Sequence, residues 1–161
     1  MHALKYLLLV IVLSLSAPVA FADLKPGQAL QSVDIELLNG DTLTAKQLAG
    51  KPAAYLFWAT WCHICRSELP AYQKLHARYQ ARGFRVIALS LDESATEVKQ
   101  FWADAGYTIP VAMRTDALRD AFGDIRGTPT LYVIDRKGRL VKKQLGGISP
   151  DELEAIIKRL L

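Results

Sequence analysis

The sequence predicts an α/β fold: a central mixed β-sheet flanked by helices, with an N-terminal β-hairpin extension. Three observations lead there. Apolar runs at 53–58 and 84–89 are each followed by a segment of helical periodicity, at 62–82 and 94–105, and strand–helix alternation builds a parallel-centred sheet covered by helices. Residues 130–134 and 140–145 flank Arg136-Lys137-Gly138, a turn that makes the last two strands an antiparallel pair. Near the start, residues 33–37 alternate apolar and polar and run into Asn39-Gly40-Asp41, which has the chemistry of a tight hairpin turn.

The chain has 161 residues, a length that fits one domain behind a short leader. Lys5 is the only formal charge before an uncharged apolar run at 6–15, Pro18 breaks it, and Ala20-Phe21-Ala22 supplies the small residues of a cleavage site. Residues 1–22 therefore read as an export signal and 23–161 as the domain, with an uncleaved anchor as the alternative for the leader. Either way the domain is delivered to a periplasmic or other extracytoplasmic compartment, where disulfides persist. Losing Lys5 takes the formal charge from +4 to +3. The basic residues at 136–143 form no stripe interleaved with aromatics, which argues against nucleic acid as a partner. A monomer is the simple expectation.

Each element has its own signal. Ala53–Trp58 is too short for an ordinary helix and too apolar for a half-exposed strand, so it is a buried central strand. Leu69, Tyr72, Leu75 and Tyr79 recur at spacings of three and four across 62–82, and Gly83 stops that amphipathic helix. Val98, Phe101 and Trp102 mark the core side of the helix at 94–105, ended by Gly106. A short strand around Val111 and a brief helix at 116–122 follow. Ser149-Pro150-Asp151-Glu152 combines an N-cap serine, a proline at the first helical position and a capping-box glutamate, and opens the C-terminal helix.

The chain has two cysteines, Cys62 and Cys65, at the junction between the buried strand and its helix. Unpaired N–H groups and the positive end of the helix dipole stabilise a thiolate on the first, expected at an exposed helix start. Cys62 is then the nucleophile toward a partner's disulfide, and Cys65, one turn on, resolves the mixed disulfide. Competing chemistries lack parts. Structural zinc needs further Cys or His ligands, and the mature chain offers only His63 and His76. Covalent haem needs histidine after the second cysteine, where Arg66 stands. A purely structural disulfide closes too small a loop to remove much chain entropy.

The strand, Trp58-Ala59-Thr60-Trp61-Cys62-His63-Ile64-Cys65, the helix and Thr128-Pro129 before a later strand resemble the thioredoxin superfamily over residues 29–161. Trp58 to Cys62 followed by Arg66-Ser67-Glu68-Leu69-Pro70 resembles its exported TlpA/ResA-like branch. The resemblance implies a thioredoxin fold, a cis Pro129 against the cysteine pair, and Thr128 offering backbone groups to an extended substrate. It places Leu56 where ordinary thioredoxins carry a buried acid, and makes Glu68, one turn beyond Cys65, the proton acceptor instead. A first-turn glutamate that merely complements the dipole is the simpler reading of Glu68. His63 and Ile64 are expected to tune the potential, Trp58 to belong to the core, and Trp61 to form a surface shelf for substrate.

The expected function is that of an exported thiol:disulfide oxidoreductase, with no cofactor and no metal, that reduces disulfides of client proteins and is itself reduced by a membrane electron donor of the DsbD type. The branch's clients include apocytochrome c and copper-delivery proteins, although Thr130 and Leu131 stand after Pro129 where the cytochrome c biogenesis subtype has an acid. A disulfide oxidant or isomerase uses the same residues at another potential. A non-catalytic Cu(I)-binding module would need a third soft ligand, and Met113 is the sole methionine after the leader.

Overall fold

The computed structural model describes residues 23–161, so the expected signal segment at 1–22 lies outside the described residues. The element order is β1 (Ile35–Glu36), β2 (Thr42–Leu43), α1 (Ala45–Leu48), β3 (Ala53–Trp58), α2 (His63–Tyr79), β4 (Arg85–Ser90), α3 (Ala95–Asp104), β5 (Val111–Met113), α4 (Asp116–Phe122), β6 (Thr130–Ile134), β7 (Leu140–Leu145) and α5 (Pro150–Leu160). The main sheet runs β5-β4-β3-β6-β7. β3 is parallel to β4 and β4 to β5, whereas β6 is antiparallel to both β3 and β7.

β3 is central and buried at all six residues, which explains its unbroken apolar run. Its side chains alternate between two cores. Ala54, Leu56 and Trp58 join the cluster under α2, α3 and α5, which also holds both cysteines. Ala53, Tyr55 and Phe57 join the opposite cluster, where Phe57, Phe122 and Tyr132 meet edge to face with ring centroids 5.0–5.7 Å apart. β3 thus holds its own C-terminal end, and the cysteine loop beyond it, between two packed layers.

Three elements differ from the sequence expectation. The strand at 33–37 shrinks to Ile35–Glu36, because only two residue pairs form with β2. Helix α1 was not expected; its sign is a capping box in which Thr44 accepts from the Gln47 N–H and Gln47 returns a bond to the Thr44 backbone. The helix at 62–82 divides into α2, with Cys62 outside it as N-cap, and a 3₁₀ turn at Gln80–Arg82 that ends on Gly83 at φ 90°. The basic run at 136–143 is tied into the fold: Arg136 donates to the carbonyls of Leu160 and Leu161, Arg139 to that of Gly27, and Lys142 and Lys143 pair with Glu152 and Asp23.

Candidate active site

The loop leaving β3 turns tightly, the Cys62 N–H donating to the Ala59 carbonyl at 3.1 Å. Cys62 keeps an extended backbone at the N-cap of α2 (φ −80°, ψ 103°), and its Sγ accepts from the Cys65 N–H at 3.2 Å. A cap residue ordinarily satisfies such a donor with oxygen; here sulfur takes that place. The two sulfurs are joined as a disulfide, with S–S 2.12 Å and Cα–Cα 5.3 Å. Sulfur at the positive end of a helix, facing its unpaired N–H groups, is favoured as a thiolate once the bond is reduced.

Exposure corrects one expectation. Cys62 is 7% exposed and Cys65 fully buried. The exposed part of the helix start is its rim, Trp61 at 70% and Ile64 at 52%, with His63 also exposed. Cys62 Sγ instead points back to the first turn, where it holds the Cys65 N–H. Trp58 lies in the core as expected, its indole 4.9 Å from the Trp102 ring and 5.5 Å from Phe101.

The Thr128–Pro129 peptide is cis. Pro129 immediately precedes Thr130, which pairs with Phe57 of β3, so it reaches the same end of the sheet as the cysteine loop. Its carbonyl accepts from the Gly146 N–H at 2.9 Å. Leu56 is buried in the cluster that holds both cysteines, leaving an apolar position where an ordinary thioredoxin has its acid.

Glu68 is half-buried one turn beyond Cys65, at the edge of a cavity of about 390 Å³ walled by Tyr72, Leu75, Ile148 and Leu153. Its Oε2 is buried without a hydrogen-bond partner among the described residues. Burial raises its pKa above the ordinary carboxylate value, opposed in part by the Ile148 N–H. The first turn of α2 holds no acidic residue, and the helix-dipole effect falls off within that turn, so Glu68 stands past its reach.

Sequence reasoning missed Asp92. Its carboxylate accepts from the Thr60 N–H at 3.0 Å and from the Ser90 hydroxyl at 2.6 Å, and from the Thr60 hydroxyl as well. It thereby clamps the cysteine loop to the end of β4. The two partners stand 32 residues apart, and no local pattern announces the pairing. Among the described residues no three His, Cys, Asp or Glu side chains group as a metal site. Met113 sits on β5, paired in register with Ser90.

A cysteine pair joined at the N-terminus of a helix, at the end of the central strand of a mixed sheet that also receives a cis-proline, defines a thioredoxin-fold thiol:disulfide oxidoreductase of the TlpA/ResA-like kind. The comparisons with known proteins agree. The family model described as Redoxin matches residues 25–159, and the chain belongs to that family. It is 32% identical over 124 residues to the thiol-disulfide oxidoreductase ResA of Bacillus thuringiensis strain Al Hakam, covering 76% of this chain and 71% of that one. To the ResA of Oceanobacillus iheyensis it is 32% identical over 136 residues, covering 84% and 70%. Among solved structures, a thioredoxin-family thiol:disulfide interchange protein from Chlorobium tepidum TLS superposes with TM-score 0.77 at 32% identity, covering 86% of this chain and 99% of that one.

Proposed function

We propose that this protein is an exported reductant of client-protein disulfides, with Cys62 as nucleophile, Cys65 as resolving thiol and Glu68 as proton acceptor. The observation that carries the reading is the half-buried carboxylate of Glu68, one turn from Cys65, with an oxygen that has no hydrogen-bond partner among the described residues. The Cys62 thiolate attacks one sulfur of the client's disulfide; a Cys62–client bond forms and the client's second sulfur leaves as thiolate. Cys65 then gives its proton to ionised Glu68 and attacks Cys62, closing the Cys62–Cys65 bond and expelling the client's first sulfur. Two electrons have passed to the client, and two from a membrane donor of the DsbD type restore the dithiol.

A carboxylate raised toward neutrality suits this step, because acid–base catalysis works best when donor and acceptor pKa values approach working pH. Trp61, together with the backbone of Thr128 beside Pro129, forms the client contact, and His63 and Ile64 set the potential through their effect on the thiolate. The leader delivers the domain, residues 23–161, outside the cytoplasm. Clients of the apocytochrome c or copper-delivery class fit the branch. The test is the reduction potential of the Cys62/Cys65 pair, measured by equilibration with thiol buffers. A value near the thioredoxin end of the range, about −270 mV, supports the reductant; one near about −120 mV would make the protein a disulfide donor.

A further inference from the structure

Gly147 has no conformational reason to be glycine. Eight glycines of the chain hold positive φ, where a side chain is strained, and Gly147 is not among them. It is also exposed, so no packed core excludes a larger residue. What excludes one is Glu68: a Cβ built on Gly147 would stand 2.1 Å from Glu68 Oε1 and 3.2 Å from its Cδ.

We propose that Gly147 is a positioning residue for the Glu68 carboxylate, leaving open the space in which Oε1 is seated against α2. The proposal rests on the proton-transfer reading of Glu68. The seat has three sides. Tyr72 and Leu75 wall it from α2, Ile148 from the loop before α5, and the missing side chain of Gly147 provides the remaining room. Any side chain at 147 meets the end of a flexible glutamate rather than backbone, so the glutamate yields and the fold does not. Pushed from a cavity lined mainly by Ala71, Leu75, Ile148 and Leu153, the displaced carboxylate turns out to water. There burial no longer raises its pKa.

Gly146 is the built-in control. Its φ is 83°, yet a Cβ there meets nothing within 4 Å. Alanine at 146 strains the backbone without touching Glu68, whereas alanine at 147 touches Glu68 without straining the backbone.

The test compares full-length wild type, Gly147→Ala, Gly146→Ala and Glu68→Gln. Glu68 is titrated by carbon-13 NMR of its carboxyl, and release of a peptide from its mixed disulfide with Cys62 is followed in single turnover across pH. For Gly147→Ala the Glu68 midpoint falls toward the ordinary carboxylate value. Release at neutral pH slows by at least about tenfold, and its pH profile merges with that of Glu68→Gln. Gly146→Ala lowers the melting temperature and leaves the Glu68 midpoint at wild type. A Gly147→Ala protein with the wild-type midpoint and release rate overturns the proposal. Should Glu68→Gln release at the wild-type rate while Gly147→Ala still shifts the midpoint, the seat stands and the proton-transfer role of Glu68 falls.

Discussion

Two carboxylates lie along the seam between α2 and α5, and their surroundings are opposite. At the far end Glu154 accepts from Arg78 at 2.8 Å and from the Tyr79 hydroxyl, and pairs with Lys158 at 3.4 Å. Those partners, Tyr79 foremost and then Arg78, hold its pKa at about 2. At the cysteine end Glu68 lacks a partner for Oε2 among the described residues, and burial pushes its pKa up. The neighbouring Tyr72 hydroxyl is raised too, by burial first and then by the Glu68 charge. A carboxylate that fastens two helices is supplied with donors until it no longer takes a proton in the working range. The proposed role of Glu68 as proton acceptor fits a carboxylate kept short of them.

The comparison can be broken at either end. The largest effect belongs to the cysteine pair: Cys62→Ser abolishes client reduction, and Cys65→Ser leaves the client attached to Cys62, visible as an accumulating mixed disulfide by non-reducing mass analysis. Glu68→Gln comes next. It slows single-turnover release by about 10²-fold, the low end for a lost general base, while the first attack by Cys62 keeps its rate. An unchanged release rate would reduce Glu68 to a structural carboxylate.

The same substitution sharpens the contrast through stability. The folded pKa of Glu68 lies above its unfolded value, so the folded state binds the proton more tightly. Stability from this group is full below the ordinary value of 4.5 and lost as pH rises through the raised one. Glu68→Gln removes that loss and raises stability at pH 7 by less than about 1 kcal/mol, since the carboxyl still meets solvent. Thermal melts at pH 4 and pH 7 check it.

Between the two acids stands His76, buried on α2, with Nδ1 accepting from the Val86 N–H at 3.3 Å. The β4–β5 ladder starts only at Ala88, so this imidazole serves a backbone donor that β5 does not reach. His76→Leu orphans that donor and costs about 1–3 kcal/mol, measured by denaturant unfolding, without changing the release rate. The smallest effect on activity is that of Glu154→Gln, which leaves turnover intact. Its folded pKa is depressed, so its stabilisation is present above 4.5 and lost as pH falls through about 2. The variant's stability should therefore vary less over that window.

Much of this site was legible along the chain because its parts are close in sequence. The N-cap sulfur, the dipole and the resolving turn all follow from Cys62 and Cys65 on one short segment. The six-residue apolar run of β3 could only be a strand buried on both faces. The alternation at 33–37 overstates the strand, because it shows a preference for extended backbone, whereas a ladder needs a partner, and β2 supplies only Thr42 and Leu43. Helix α1 has four residues, too few for periodicity, and only its Thr44–Gln47 cap gave a sign.

Long-range juxtaposition stayed hidden. The Asp92 clamp on Thr60 and the seat that Gly147 leaves for Glu68 join residues that share no local pattern. The sequence by itself determined which atoms exchange electrons, since helix-start chemistry is local and set by spacing. Only the tertiary structure decided which acid is short of partners. The pKa of a carboxylate depends on what the rest of the chain places around it, and for Glu68 those surroundings come from the loop before α5, at the other end of the domain.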